Sequence, residues 1–127
     1  MFDADEASRA LGIRLLTCGA GTATASVVVT PSMVNGHGIT HGGYVFLLAD
    51  TAFAVACNSS GVTTVAARAD ISFLAPTQLG DELVADAIER IRSGRTGIYD
   101  VTVRCGERIV AEFRGTSQAL AARTPSE

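Results

Sequence analysis

The sequence predicts an α+β domain in which one long central helix is wrapped by a curved antiparallel sheet, with a short helix near the N-terminus. Residues 43–60 are apolar on nearly every side of a helix, which indicates burial. The rest of the chain is rich in strand-like segments, and tight turns at 93–95 and 106–107 join the last three as an antiparallel meander. A sheet is therefore expected to cover the helix.

Length and composition fit one domain that spans residues 1–127. The apolar content of 47% and the charged content of 18% are ordinary for a soluble globular protein. A net charge of −3 gives no general attraction to nucleic acid or to an anionic membrane. The apolar part of the helix, ~24 Å long, is also too short for a hydrocarbon core of ~30 Å. We expect neither nucleic acid nor membrane as a partner.

Cysteine usage and the first residues predict the compartment. Cys18, Cys57 and Cys105 are odd in number and widely spaced, which is typical of a reduced protein rather than of a disulfide framework. The first residues have neither the basic nor the apolar region of a secretory signal. We therefore expect a cytoplasmic location.

The elements before the central helix follow from turn and capping signals. Residues 3–12 predict a short amphipathic helix that stops at Gly12. Its apolar side comprises Ala7, Ala10 and Leu11. Residues 13–18 and 22–30 are rich in β-branched side chains and predict a hairpin around a glycine-bearing turn. Residues 31–40 form a loop that leads into the helix.

After the helix, with Gly61 expected as its C′ residue, the chain reads as successive strands. They are predicted at 63–75, 82–92, 98–105 and 109–115, before a polar tail over 123–127. In the strands at 98–105 and 109–115, the alternation predicts that one set of side chains faces inward. These are Tyr99, Val101, Val103, Cys105, Ile109, Ala111 and Phe113. In the strand at 63–75, Ile71 and Phe73 alternate with Asp70 and Ser72.

Asp50 is the single charged residue of the central helix. Its helical neighbours at three and four residues, which are the positions that could pair with it, are apolar. They are Phe46, Leu47, Phe53 and Ala54. An isolated carboxylate in such surroundings is costly unless it is compensated. It is either a structural group that accepts nearby hydrogen bonds, or a general base or nucleophile in a partly dry cleft.

The helix entrance, His41-Gly42-Gly43, is the second candidate. Glycines allow close backbone approach, and the first N–H groups of a helix have no intrahelical partner. With the positive end of the helix dipole they suit a developing oxyanion. The alternative is an entry turn without a ligand, in which His41 caps or positions the loop instead of acting as an acid or base.

The loop before the entrance holds two more polar candidates. Asn35, beside Gly36, is either an ordinary turn residue or a group that orients a water or a carbonyl. His37 and His41 suggest a two-histidine metal site, but no matching carboxylate or cysteine is nearby in the sequence. We therefore expect no metal.

The spacing of Gly43 and Asp50 predicts a second subunit. They are seven residues apart, which is ~10.5 Å along a helix axis. The Gly43 N–H points toward the start of the helix, whereas Asp50 points sideways. One small carbonyl cannot contact both on the same helix. If both act on one substrate, the carboxylate comes from another copy, which gives two equivalent sites in a two-fold dimer.

The motifs closely resemble, over essentially the whole chain, hotdog-fold acyl-CoA thioesterases of the phenylacetic acid degradation type. They are Asn35-Gly36-His37-Gly38, His41-Gly42-Gly43, Ala49-Asp50-Thr51-Ala52-Phe53-Ala54, Asn58-Ser59, Asp70-Ile71-Ser72-Phe73-Leu74-Ala75-Pro76, Gly80-Asp81, Arg95-Thr96-Gly97-Ile98-Tyr99-Asp100 and Phe113-Arg114-Gly115. The resemblance implies a hotdog fold and hydrolysis of acyl-CoA at a dimer interface, usually in a homotetramer of two dimers. It implies no metal or redox cofactor, since coenzyme A is part of the substrate.

The resemblance also implies residue roles. Asp50 matches the catalytic carboxylate, which activates water or attacks the thioester carbonyl, and the Gly43 N–H matches the oxyanion donor. Asn35 matches the asparagine that helps to hold the water, and His41 belongs to the site-forming loop. The substrate-binding candidates are Gly42, Thr51, Asn58, Arg68, Arg95 and Thr96. For the two arginines, a role as a solvent-exposed strand or turn residue is an equal alternative.

The expected activity is hydrolysis of phenylacetyl-CoA or hydroxyphenylacetyl-CoA-like thioesters by Asp50 and Gly43 of opposite subunits. One alternative is a hotdog enoyl-CoA hydratase or dehydratase with His41 as its base, which the position of the carboxylate two turns into the helix disfavours. Another is a non-catalytic acyl-CoA-binding module. Known modules of that kind carry a DNA-binding segment, and no basic helix-turn-helix precedes the central helix.

Overall fold

A computed structural model describes residues 2–120 and shows two helices, two short 3₁₀ turns and six strands. The helices are α1 (Glu6–Ala10) and α2 (Gly42–Cys57), and the 3₁₀ turns are Phe2–Ala4 and Pro31–Met33. The strands are β1 (Arg14–Gly19), β2 (Thr22–Val28), β3 (Thr64–Phe73), β4 (Glu82–Ser93), β5 (Thr96–Cys105) and β6 (Arg108–Ala119). The predicted α+β class is confirmed, and the predicted tail at 123–127 lies outside the described residues.

The six strands form one antiparallel sheet in the order β1-β2-β4-β5-β6-β3. After β2 the chain crosses the sheet through α2, so β3 becomes the edge strand beside β6. The chain then returns to pair β4 with β2, and the two predicted tight hairpins complete the meander. Within residues 2–120, no helix is long and apolar enough to cross a membrane.

Helix α2 packs closely on one face of the sheet, as its apolar sequence predicts. Phe53 contacts Tyr99 and Phe113, with ring centroids 5.6 and 5.7 Å apart. The approach depends on Gly115, where an added Cβ would lie 2.8 Å from the Phe53 ring. The side of α2 that carries Leu48 and other small or aliphatic residues is therefore fully buried.

The prediction of which side chains the N-terminal helix buries is wrong for Ala7 and Ala10. Helix α1 has only five residues, and Ala7 and Ala10 are exposed while Ser8 is fully buried. The reason is a polar contact, because the Ser8 hydroxyl lies 2.7 Å from the Thr51 hydroxyl of α2. Leu11, the third residue of the predicted apolar side, is partly buried against the core, so this segment docks through Leu11 and the Ser8 hydroxyl.

The inward prediction for Ile109 is also wrong, since its side chain is 49% exposed. The pairing of β5 with β6 shifts register after Val103, and Val110 is the extra residue on β6. The Val110 carbonyl instead accepts hydrogen bonds from the N–H groups of Leu74 and Ala75. This bulge reverses the alternation, so Ile109 faces outward while Val110 is buried.

Candidate active site

The entrance of α2 is capped by the side chain of His41. Its Nδ1 accepts a hydrogen bond of 3.1 Å from the Gly43 N–H, and the backbone N–H of His41 donates to the Met33 carbonyl at 2.7 Å. An accepting Nδ1 leaves the proton of a neutral imidazole on Nε2. His41 and Gly43 are both exposed, so the helix entrance is open to solvent. His41 therefore caps α2, which is one of the two roles that the sequence left open for it.

An apolar cavity of about 350 Å³ opens beside this entrance. Its walls include Ile39, Val45, Phe73, Leu74 and Pro76, together with the backbone at Gly42. A Cβ on Gly42 would lie 3.0 Å from the Phe73 ring, so the absent side chain lets the ring approach the helix. The cavity suits a small apolar group next to the first N–H groups of α2.

Asp50 lies half-buried in the middle of α2. Burial raises the pKa of its carboxyl above the ordinary value, and the nearby charge of Asp5 raises that pKa further. In the part of the chain that the structure describes, the carboxylate makes no hydrogen bond or ion pair. The structural alternative, a carboxylate that accepts hydrogen bonds from neighbouring groups, is therefore not what this chain shows.

Gly43 and Asp50 lie on the same uninterrupted helix. Their separation is ~10.5 Å along the axis, because seven residues rise at about 1.5 Å each. One subunit therefore does not bring the Gly43 N–H and the Asp50 carboxylate onto the same small group.

Asn35 builds the loop that leads to the entrance. Its Oδ1 accepts hydrogen bonds from the N–H groups of His37 and Ile39, at 2.9 and 3.2 Å. This is the turn role of an asparagine that precedes glycine. The Asn35 Nδ2 has no hydrogen-bond partner within residues 2–120 and is exposed, so it is able to donate to another group.

The side chains of Thr51 and Asn58 are occupied within the fold. Thr51 is buried, and its hydroxyl lies 2.8 Å from the Leu47 carbonyl as well as against α1. Helix α2 ends at Cys57 with Asn58 as its C-cap, so the prediction of Gly61 as the C′ residue is wrong. The Asn58 Nδ2 donates to the Ala54 carbonyl at 2.8 Å, and Asn58 joins Thr64 of β3 through both amide atoms. Substrate contact by either residue stays a prediction.

Arg68, Arg95 and Thr96 are exposed, and Arg68 lies in the middle of β3, opposite Thr116 of β6. Thr96 starts β5 beside the end of β6, where the Arg95 carbonyl accepts a hydrogen bond from the Ala119 N–H. Thr64, which is bound by Asn58, pairs with that same end of β6. The structure therefore places Asn35, His41, Gly42 and Gly43 at the start of α2 and Asn58 at its end, with Asp50 and Thr51 in the middle of the helix.

Residues 37–112 match the family model of the thioesterase superfamily. The chain belongs to this superfamily. It is 44% identical over 121 residues to the acyl-coenzyme A thioesterase PaaI of Escherichia coli (strain K12), across 94% of this chain and 86% of that protein.

Two solved structures extend the comparison. One is the E. coli PaaI protein from the phenylacetic acid degradation operon, with 42% identity and a TM-score of 0.93 over 96% of this chain and 89% of that chain. The other is a mutant of the phenylacetic acid degradation protein PaaI from Thermus thermophilus, with 35% identity and a TM-score of 0.89 over 91% and 100%. The predicted family, hotdog fold and thioesterase class are confirmed.

A second perturbed carboxylate of this thioesterase lies away from the entrance. Asp100 accepts two hydrogen bonds from Arg114, at 2.6 and 2.8 Å, and Arg90 lies 3.3 Å away. The hydrogen bonds from Arg114 lower the pKa of Asp100. Because its neighbours Tyr99 and Val101 face the helix, Asp100 lies on the opposite face of the sheet. This carboxylate stabilises the sheet surface.

Sequence reasoning missed Asp5 and Ser8, which join α1 of this thioesterase to Thr51 in the middle of α2. Asp5 caps α1 by accepting a hydrogen bond of 3.0 Å from the Ser8 N–H, and its charge raises the pKa of Asp50. An aspartate three residues before a serine is a recognisable capping signal. No local pattern, however, predicts which part of α2 the short helix touches. Within residues 2–120, no three His, Cys, Asp or Glu side chains could hold a metal ion.

Proposed function

We propose that this member of the thioesterase superfamily hydrolyses acyl-CoA, with phenylacetyl-CoA or its ring-hydroxylated relatives as substrates. The observation that carries the proposal is Asp50, a half-buried carboxylate in an apolar helix without a hydrogen-bond or ion-pair partner within residues 2–120. The names of its PaaI relatives supply acyl-CoA and the link to phenylacetic acid. The apolar cavity at the helix entrance supports an aryl-acyl group.

In this mechanism the Gly43 N–H polarises the thioester carbonyl, and Asp50 accepts a proton from the attacking water. The C–O bond forms, the C–S bond of the tetrahedral intermediate breaks, and the CoA thiolate takes up the proton that Asp50 accepted, which regenerates the carboxylate. Because burial raises the pKa of Asp50, its carboxylate is a stronger base than an exposed aspartate. The thiolate leaves readily, so positioning and oxyanion stabilisation supply most of the rate.

Asn35 and His41, at the entrance of α2, are the other two residues of the proposed mechanism. Asn35 uses its Oδ1 to hold the loop and keeps its Nδ2 for the attacking water. His41 keeps the Gly43 N–H pointing out of the helix through the hydrogen bond to Nδ1. The incoming oxyanion shares or replaces that bond. Coenzyme A is part of the substrate, and no further cofactor is needed.

We further propose that Asp50 and Gly43 act from opposite subunits of a homodimer, two of which form a tetramer. The ~10.5 Å between them along one helix supports this arrangement. The edge strand β3 supports a dimer as well, because apolar side chains there and just beyond are exposed, with Phe73 at 56% and Leu74 at 60%. Apolar edges of this kind are usually covered.

The first test is a thiol-release assay over a panel of acyl-CoA thioesters. Phenylacetyl-CoA and hydroxyphenylacetyl-CoA are expected to give the highest kcat/KM, above acetyl-CoA and long-chain acyl-CoA. Crotonyl-CoA hydration is measured in parallel for the hydratase alternative. Absence of thiol release from every aryl-acyl substrate, with the protein folded, would overturn the proposed activity.

A mixing experiment tests the shared sites. Asp50→Asn removes the base, and Gly43→Pro removes the N–H at a position in the first helical turn where proline is tolerated. Each variant alone is expected to be nearly inactive. After unfolding and refolding together, half of the dimers are mixed and contain one intact site, so about a quarter of the wild-type activity returns. Sites within single subunits would recover none.

A further inference from the structure

A continuous chain of hydrogen-bonding groups joins α1 to the middle of α2. The Ser8 Oγ donates to an Asp5 carboxylate oxygen at 2.6 Å and lies 2.7 Å from the Thr51 Oγ1. Ser8 and Thr51 are both buried. Each hydroxyl has one proton, and a carboxylate is the strongest acceptor present. Ser8 therefore donates its proton to Asp5, and the single Thr51 proton is shared between the Leu47 carbonyl at 2.8 Å and the Ser8 Oγ at 2.7 Å.

This chain of groups holds Asp5 near the middle of α2, because the Ser8 hydroxyl contacts Thr51, the residue that follows Asp50. The Asp5 carboxylate also accepts the Ser8 N–H at 3.0 Å, which holds both of its oxygens in place. Asp5 is the charged group of residues 2–120 that acts on Asp50. Helix α2 carries no other charged side chain, and the strands beneath it present apolar residues such as Ala25, Ala85 and Val101.

We propose that Asp5 is a positioning residue of the thioesterase site, and that Ser8 and Thr51 hold its negative charge near the part of α2 that carries Asp50. Two nearby carboxylates repel each other when both are ionised, so a proton on Asp50 relieves that repulsion. The short helix α1 thereby becomes part of the catalytic apparatus. The inference rests on the proposed function, in which Asp50 is the base.

The test is a pH titration of the Asp50 carboxyl carbon by ¹³C NMR, with the signal assigned by its loss in Asp50→Asn. Asp5→Asn removes the charge and keeps an oxygen that accepts from Ser8, and it is expected to move the Asp50 midpoint to lower pH. Asp3→Asn removes an exposed carboxylate from the same segment and is expected to leave the midpoint unchanged. An unchanged midpoint in Asp5→Asn overturns the proposal.

The pH profile of kcat/KM for phenylacetyl-CoA supplies the functional readout. Its acidic limb is expected to move to lower pH in Asp5→Asn and to stay in place in Asp3→Asn. Because the NMR titration needs no substrate, it still tests the role of Asp5 if the wild-type protein releases no thiol. An absence of thiol release together with a shifted Asp50 midpoint would contradict the proposed function and leave the role of Asp5 intact.

Two variants of Thr51 test whether its hydroxyl holds Asp5 in place, separately from the effect of the Asp5 charge. Thr51→Val removes the hydroxyl at similar size and is expected to lower the Asp50 midpoint, because Asp5 is no longer held in place. Thr51→Ser keeps the hydroxyl and is expected to retain the wild-type midpoint. If Thr51→Val also retains it, the hydroxyl chain does not position Asp5, and that part of the proposal is wrong.

Discussion

Replacement of Asp50 by asparagine is expected to abolish most of the activity and to stabilise the fold at neutral pH. The side chain is half-buried in α2, and it has no hydrogen bond or ion pair within residues 2–120. Its pKa is raised by burial and by Asp5. The ionised form therefore costs the folded state free energy that a neutral amide of the same shape avoids.

The stability gain follows from the burial of the side chain. An ionised carboxylate without a partner costs the folded state more than a neutral amide at the same position, and the difference is expected to be about 1 kcal/mol because part of Asp50 reaches solvent. A gain of about 1 kcal/mol, at about 2.1 cal/mol/K of unfolding entropy per residue over 127 residues, raises the Tm by about 4 °C. Loss of a general base lowers kcat by about 10²–10⁴-fold.

The assay combines thiol release with thermal unfolding at several pH values. Since the folded pKa of Asp50 is raised, the penalty is fully present above that folded pKa and disappears as the pH falls below the unfolded value of about 3.9. The Tm advantage of Asp50→Asn should therefore fade on acidification. Asp100→Asn is the matched control, because Arg114 lowers the pKa of Asp100 and the same substitution should reduce stability at pH 7.

Two results would refute this reasoning. Near wild-type hydrolysis of phenylacetyl-CoA by folded Asp50→Asn would show that the carboxylate is not the base. A loss of stability at pH 7 would show that the ionised carboxylate has a stabilising partner in the assembled protein.

Three further substitutions test the surrounding structure. Gly115→Ala should lower stability by about 1–3 kcal/mol in urea unfolding, because the new Cβ would lie 2.8 Å from the Phe53 ring. Asn58→Ala should cost about 1–3 kcal/mol in urea unfolding, since it leaves backbone groups of α2 and β3 unpaired, and a raised KM would bear out the predicted substrate contact. Gly42→Ala should displace the Phe73 ring and raise KM for phenylacetyl-CoA about 10-fold with a smaller change in kcat, as steady-state kinetics will show.

The features that were predictable from the sequence are those with a local signal. The apolar stretch identifies α2, and alternation with tight turns identifies β5 and most of β6. The isolation of Asp50 is likewise visible in the sequence, because only helical neighbours are needed to recognise it. The resemblance then supplied the reaction class, which spacing alone does not contain.

What was missed depends on contacts between distant segments. The outward position of Ile109 follows from the bulge at Val110, whose carbonyl bonds to the chain after β3. The burial of Ser8 follows from a hydroxyl of α2 that is 43 residues away in sequence. Amphipathic periodicity describes apolar contact, so it does not detect a contact that a buried hydroxyl makes through a hydrogen bond.

The His41 cap at the helix entrance affects how strongly the proposed oxyanion site prefers the tetrahedral intermediate to the bound substrate. The Gly43 N–H already donates to a neutral imidazole nitrogen of His41, at 3.1 Å. A neutral thioester carbonyl that displaces this nitrogen exchanges one neutral hydrogen bond for another and gains little. An oxyanion forms a charge-assisted bond that is roughly twice as strong. The exchange therefore favours the tetrahedral intermediate over the bound substrate, which is the differential binding that accelerates a chemical step.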